Sequence, residues 1–178
     1  MTVAEPDPGP DPALDPSLDH VGRIMAQWAR ERPDLDVSPQ GVIGRLHRLA
    51  ASLTEELVAV YSRFGLGEGE FDVLATLRRA GAPYELTPGA LAAQTMVSSG
   101  AVTKRVDRCV ERGWVTRRVS EGDARGRVVA LTAPGRELID RAFEAHMANE
   151  HRLVGLLAES AQAVLARILE GWGRSLGA

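Results

Sequence analysis

The stretch from Thr87 to Thr132 restricts the fold more than any other part of the chain, because its start and stop signals admit one order of elements. Thr87 followed by Pro88 is an N-cap and first-turn pair, and it opens a short helix ending near Gln94. Ser98 caps a second helix that runs to Gly113, where a glycine suits a helix stop. Beyond Gly113 the texture turns to strand: Val115 to Ser120, a six-residue polar tip from Glu121 to Gly126, and a returning strand from Arg127 to Thr132. Short helix, turn, second helix and basic hairpin make a winged helix-turn-helix. In that arrangement the second helix enters the major groove of DNA and the hairpin reaches toward the minor groove.

The phase of the second helix fits this use. At about 100° per residue, Val102, Val106, Cys109 and Val110 gather on one face suited to a core, and Lys104, Arg108 and Glu111 lie opposite. Lys104 and Arg108 are therefore placed to read bases or anchor phosphates, while Ser98, Ser99 and the first backbone N–H groups of the helix are placed to hold phosphates. Arg125, at the exposed tip, suits a narrow electronegative minor groove, and Arg127 follows it on the wing. The net charge of −3 hides a polarised chain. The first 20 residues hold Glu5, Asp7, Asp11, Asp15 and Asp19 with no Lys or Arg. Residues 104–127 hold Lys104, Arg105, Arg108, Arg112, Arg117, Arg118, Arg125 and Arg127 against four acids. A merely solvated charged helix and hairpin is the plainer alternative, and the ordered combination with its apolar stripe in phase weighs against it.

At 178 residues, against roughly 150 for one domain, a single core with an extension is expected. Apolar residues at 44% and charged residues at 25% are ordinary globular usage. Residues 1–16, with Pro6, Pro8, Pro10, Pro12 and Pro16 among acids, are expected to form a disordered tail. Helical spacing of Val21, Ile24, Met25 and Trp28 predicts a first helix closed by Pro33, and Ser38–Pro39 opens a second running to about Phe64. Glu68 to Ala80 is a third. Pro134 to Leu176 is helical, with a break near Ala158 to Ala161. Residues 17–64 and 134–178 thus flank a DNA-binding domain at 65–133. No apolar stretch approaches the roughly 18 residues of a membrane span, and the N-terminus has no secretory pattern, so a cytoplasmic location is expected.

No enzyme is indicated. His146 and His151 are five apart and match neither helical zinc pattern, Gly65-Leu66-Gly67-Glu68-Gly69 lacks the strand that precedes a phosphate loop, and Ser98-Ser99-Gly100 is not a nucleophile elbow. No catalytic residue, metal or cofactor is expected. The single cysteine, Cys109, makes no internal disulfide. Its place in the apolar stripe favours a buried structural thiol over a redox sensor, the latter being the thiol-sensing alternative. A helical protein-interaction module would account for the long terminal helices but not for the basic wing.

Residues 98–118, together with a wing carrying Asp123, Arg125, Val129, Leu131 and Thr132, closely resemble the MarR family of bacterial transcriptional regulators. Trp114 departs from the smaller aliphatic residue common there. The resemblance covers about residues 20–175 and implies a homodimer joined through its N- and C-terminal helices on a pseudo-palindromic double-stranded operator. Gln27 to Pro39 and Phe71-Asp72-Val73-Leu74 further resemble the urate-responsive branch, with its extra N-terminal helix. That likeness implies a repressor released by a small organic anion, urate or a related metabolite, through Trp28, Asp72, Arg105 and Arg117. Each has a plainer role as well: packing for Trp28, a structural ion pair for Asp72 with Arg105, and phosphate binding for Arg117.

Overall fold

The computed structural model describes residues 15–96, 102–120 and 123–177, with the side chains at 120 and 123–126 left aside. It contains α1 (His20–Glu31), α2 (Gln40–Ser62), α3 (Glu68–Arg79), β1 (Glu85–Leu86), α4 (Pro88–Gln94), α5 (Val102–Glu111), β2 (Val115–Ser120), β3 (Asp123–Leu131), α6 (Ala133–Val154) and α7 (Glu159–Leu176). The chain divides into two compact units, residues 1–55 and residues 56–178. No described helix is long and apolar enough to cross a membrane.

In the first unit one carboxylate organises two helices. Asp19 caps α1 by accepting the Gly22 N–H at 2.7 Å, and it also accepts both Nε and Nη2 of Arg45 on α2 at 2.8 Å. Gly44 lets the two helices approach, since a Cβ there would sit 3.1 Å from Val21 Cγ1.

In the second unit α3 is the central element: Val73, Leu74, Thr76 and Leu77 are fully buried. Around them pack Leu91 of α4, Val102, Val106 and Cys109 of α5, Val115 and Val129 of the sheet, and Ile139 and Ala142 of α6. Three antiparallel strands lie in the order β1-β3-β2. β1 pairs Glu85 with Ala130 and Leu86 with Val129, so the wing is a hairpin braced by a short third strand.

Two expectations need correction. Four of the six residues expected in the tip belong to a strand: β3 already begins at Asp123, Ser120 pairs with Asp123 and Val119 with Arg127, so residues 124–126 bulge within the ribbon, while residues 121–122 lie outside the described residues. Turn-forming residues such as Gly126 are equally compatible with a bulge, which is where the chain uses them. Val110 lies 38% exposed, outside the buried stripe of Val102, Val106 and Cys109, because its place at the edge of that arc carries it past the core. The break in the last helix falls at residues 155–158.

Candidate nucleic-acid interface

The second helix of the motif ends as its sequence demands. Gly113 adopts φ +71°, and the Trp114 N–H donates to Cys109 O while the Gly113 N–H donates to Val110 O, which satisfies the last carbonyls of α5. Thr132 then closes the wing onto this turn. Its hydroxyl lies 2.8 Å from Gly113 O and 3.0 Å from Trp114 O, and it accepts the Gly135 N–H at the start of α6. The end of α5, the β2–β3 ribbon and α6 are thus tied at one point.

With its apolar stripe buried, α5 presents Thr103, Lys104 and Arg108 to solvent. Arg108, although its side chain is 55% exposed, is ion-paired through Nε with Glu70, whose side chain is only 12% exposed on α3. Glu70 was missed in the sequence. Its signal was the three-residue spacing from Gly67, a helix-start pattern, and its Oε2 does accept the Gly67 N–H at 3.0 Å. Arg127 is exposed on β3. The backbone of Arg125 lies in β3, but its side chain falls outside the described set, and Ser98 and Ser99 lie outside the described residues.

Arg117 leaves β2 toward α5, where Nη1 lies 2.5 Å from Asp107 Oδ1 and Nη2 lies 3.5 Å from Thr103 O. Arg117, Arg127 and Thr103 border a cavity of about 290 Å³ with Leu91, Val106 and Val129 at its apolar side. On the opposite flank of α5, Arg105 packs across Gly69 of α3, and its Nη1 is buried without a hydrogen-bond partner among the described residues. Asp72, one turn further along α3, is buried and accepts the Thr76 hydroxyl at 3.4 Å. The packing of α3 on α5 therefore sets Arg105 one helical turn from Asp72 and leaves Arg117 on the far side of α5. Trp28 is on α1 in the first unit, 46% exposed.

Cys109 is fully buried, and burial together with the Glu70 charge pushes its thiol up to about 12. A thiol held protonated at neutral pH is a poor nucleophile. In the native protein at pH 8, Cys109 is expected to resist a thiol-reactive disulfide reagent for hours and to react within seconds in denaturant. Rapid stoichiometric labelling of the native protein would contradict its burial.

Residues 64–126 match the model of the MarR family. PecS of Dickeya dadantii, an HTH-type transcriptional regulator, is 40% identical over 149 residues, covering 84% of this chain and 90% of PecS. The chain belongs to the MarR family. As such it is a DNA-binding transcriptional regulator with a winged-helix fold, not an enzyme. Among solved MarR-family structures, AbsC of Streptomyces coelicolor shares the fold with a TM-score of 0.71 at 24% identity, over 80% of this chain and 96% of AbsC. A mutant MarR from E. coli complexed with operator DNA is similar with a TM-score of 0.65 at 27% identity, over 77% of this chain and 98% of that one. In MarR-family terms, α5 is the recognition helix and the β2–β3 ribbon the wing.

Proposed function

We propose that this MarR-family protein is a homodimeric repressor that occupies a pseudo-palindromic operator in the cytoplasm and leaves it on binding a small organic anion of the urate type. Lys104, Arg108, Arg125 and Arg127 contact the duplex, with Ser98 and Ser99, which precede α5 in the sequence, as further phosphate contacts. Residues 65–133 are the DNA-binding domain, and residues 17–64 and 134–178 supply the pairing helices. Support for pairing comes from α7, which buries none of its residues yet exposes Val164, Leu165, Ile168 and Leu169, a patch suited to a partner. Two recognition helices related by a dyad fit half-sites about 34–36 Å apart, one turn of DNA. The similar E. coli MarR mutant is complexed with operator DNA, which supports the docking.

One observation carries the ligand reading: the buried Nη1 of Arg105, which has no hydrogen-bond partner among the described residues. A guanidinium N–H withdrawn from water with no acceptor is unfavourable, and an anion supplies the acceptor. Arg105 is the anion-pairing member of the response set and Asp72 the carboxylate that opposes a bound anion; Arg117, ion-paired with Asp107 on the other flank of α5, and Trp28, on α1, are members of the set by resemblance alone. Because Arg105 lies on the recognition helix itself, an anion drawn to it shifts that helix relative to α3.

Urate at about 100 times its Kd should stabilise the protein by about 2.7 kcal/mol, read as a rise in melting temperature, and should release the upstream duplex in a mobility shift. Arg105→Ala should abolish both effects. Gly69→Ala should blunt them, because the added Cβ would fall 2.4 Å from Arg105 Nε and displace that side chain. A wild type indifferent to urate but responsive to another planar anion would reassign the inducer. Indifference to every such anion would overturn the ligand site.

A further inference from the structure

The ion pair between Glu70 and Arg108 has a place that neither helix packing nor DNA contact alone explains. Glu70 sits in the first turn of α3, with its backbone among the buried residues of that helix and its carboxylate shared between two donors. One oxygen accepts the Gly67 N–H and caps the helix, and the other accepts Arg108 Nε. A carboxylate fixed by a cap and mostly withdrawn from solvent is a pre-organised acceptor, so it binds a guanidinium more firmly than a mobile surface acid does. Arg108 stands one turn from Lys104 on the face of α5 that points away from the core, and more than half of its side chain is exposed. Its stem is therefore on the side from which a duplex is approached, while its head is turned back to α3. Arg112, the next residue along that edge of the helix, borders the same recess with Gly65 and Trp114 and adds a second cation there.

We propose that Glu70 is an internal competitor of DNA for Arg108: a positioning residue that holds one cation of the recognition helix in reserve and lowers affinity for phosphate. This rests on α5 being the DNA-docking helix. On docking, Arg108 exchanges one anionic acceptor for another, so its contribution to binding is the difference between phosphate and Glu70 rather than a full phosphate contact. Neutralising Glu70 removes that competition and leaves the helix cap in place, because a glutamine side-chain oxygen also accepts the Gly67 N–H.

The test is a fluorescence-anisotropy titration of the protein's own upstream duplex between 50 and 200 mM KCl, with folding checked by circular dichroism. Glu70→Gln is expected to bind about fivefold more tightly and to steepen the plot of log K against log salt by up to about 0.9. In an Arg108→Ala background the same change should lose at least half of that gain on a logarithmic scale. Glu68→Gln, which removes an exposed charge from the same helix turn, should shift affinity less than Glu70→Gln does. If Glu70→Gln does not fold, Arg108→Ala decides by itself: a slope shallower than the wild type's but by less than in Lys104→Ala supports the exchange, and an unchanged slope or a full loss of about 0.9 overturns it. Weaker or unchanged binding by a folded Glu70→Gln, or an equal gain with and without Arg108, overturns the proposal and leaves Glu70 as a helix cap. A wild type that shows no salt-dependent binding at all would instead remove α5 from the DNA interface, a separate failure.

Discussion

Gly135→Ala is expected to lower the melting temperature by about 10 °C, from a loss of about 3 kcal/mol at the upper end of ordinary overpacking costs. A Cβ at this position would lie 1.9 Å from Trp114 O and 2.8 Å from its carbonyl carbon. Both are backbone atoms, so no side chain can swing aside. Trp114 O cannot retreat cheaply, because it accepts the Thr132 N–H at 3.0 Å and faces the Thr132 hydroxyl at the same distance. The Gly135 N–H in turn donates to Thr132 Oγ1 at 3.1 Å, capping α6. The methyl therefore forces apart the end of the recognition helix, the last residue of the wing and the first turn of α6 together. Gly89→Ala is the matched control: nothing lies within 4 Å of a Cβ there, and the change should be neutral or stabilising by less than about 1 kcal/mol. Thermal melts at one protein concentration compare the two. A Gly135→Ala variant that melts with the wild type would show that this junction yields more easily than its geometry indicates.

The parts of the fold that could be read from sequence are those where local chemistry and tertiary packing agree. Thr87–Pro88 opens α4 at Pro88, Gly113 stops α5 in a left-handed conformation, and the Val102, Val106 and Cys109 stripe faces the core. What was hidden had its cause elsewhere in the chain. β1 is two residues long, too short to carry an alternating pattern, and it exists because Ala130 and Val129 offer it a ladder. The bulge at residues 124–126 follows from the unequal lengths of two strands that must still pair, which residue types alone do not report.

The candidate site divides in the same way. The exposure of Lys104 and the burial of Cys109 follow from helical phase. The partners of the arginines do not, because Glu70 lies 38 residues before Arg108, and the guanidinium of Arg117 could have turned to solvent as readily as to Asp107. Sequence spacing locates a cation on a face. Only the fold shows which carboxylate already holds it.

Among the proposed DNA contacts, Lys104 is the one whose removal is expected to weaken docking most. It projects from the solvent face of α5, directly opposite the stripe that anchors the helix to α3, so a duplex that meets α5 meets Lys104. On the proposed docking, removing it would delete a contact to phosphate or a base edge with no compensating relief, unlike the removal of an arginine that an acid already occupies. Lys104→Ala should weaken binding to the upstream duplex about tenfold at moderate salt, with its melting temperature unchanged. The most direct test of groove docking by α5 is therefore the salt dependence of that binding, measured side by side for the wild type and Lys104→Ala. The wild type should lose affinity steeply as KCl rises, and the slope of log K against log salt should be shallower by about 0.9 in the variant. Equal slopes and equal affinities for the two proteins would contradict it.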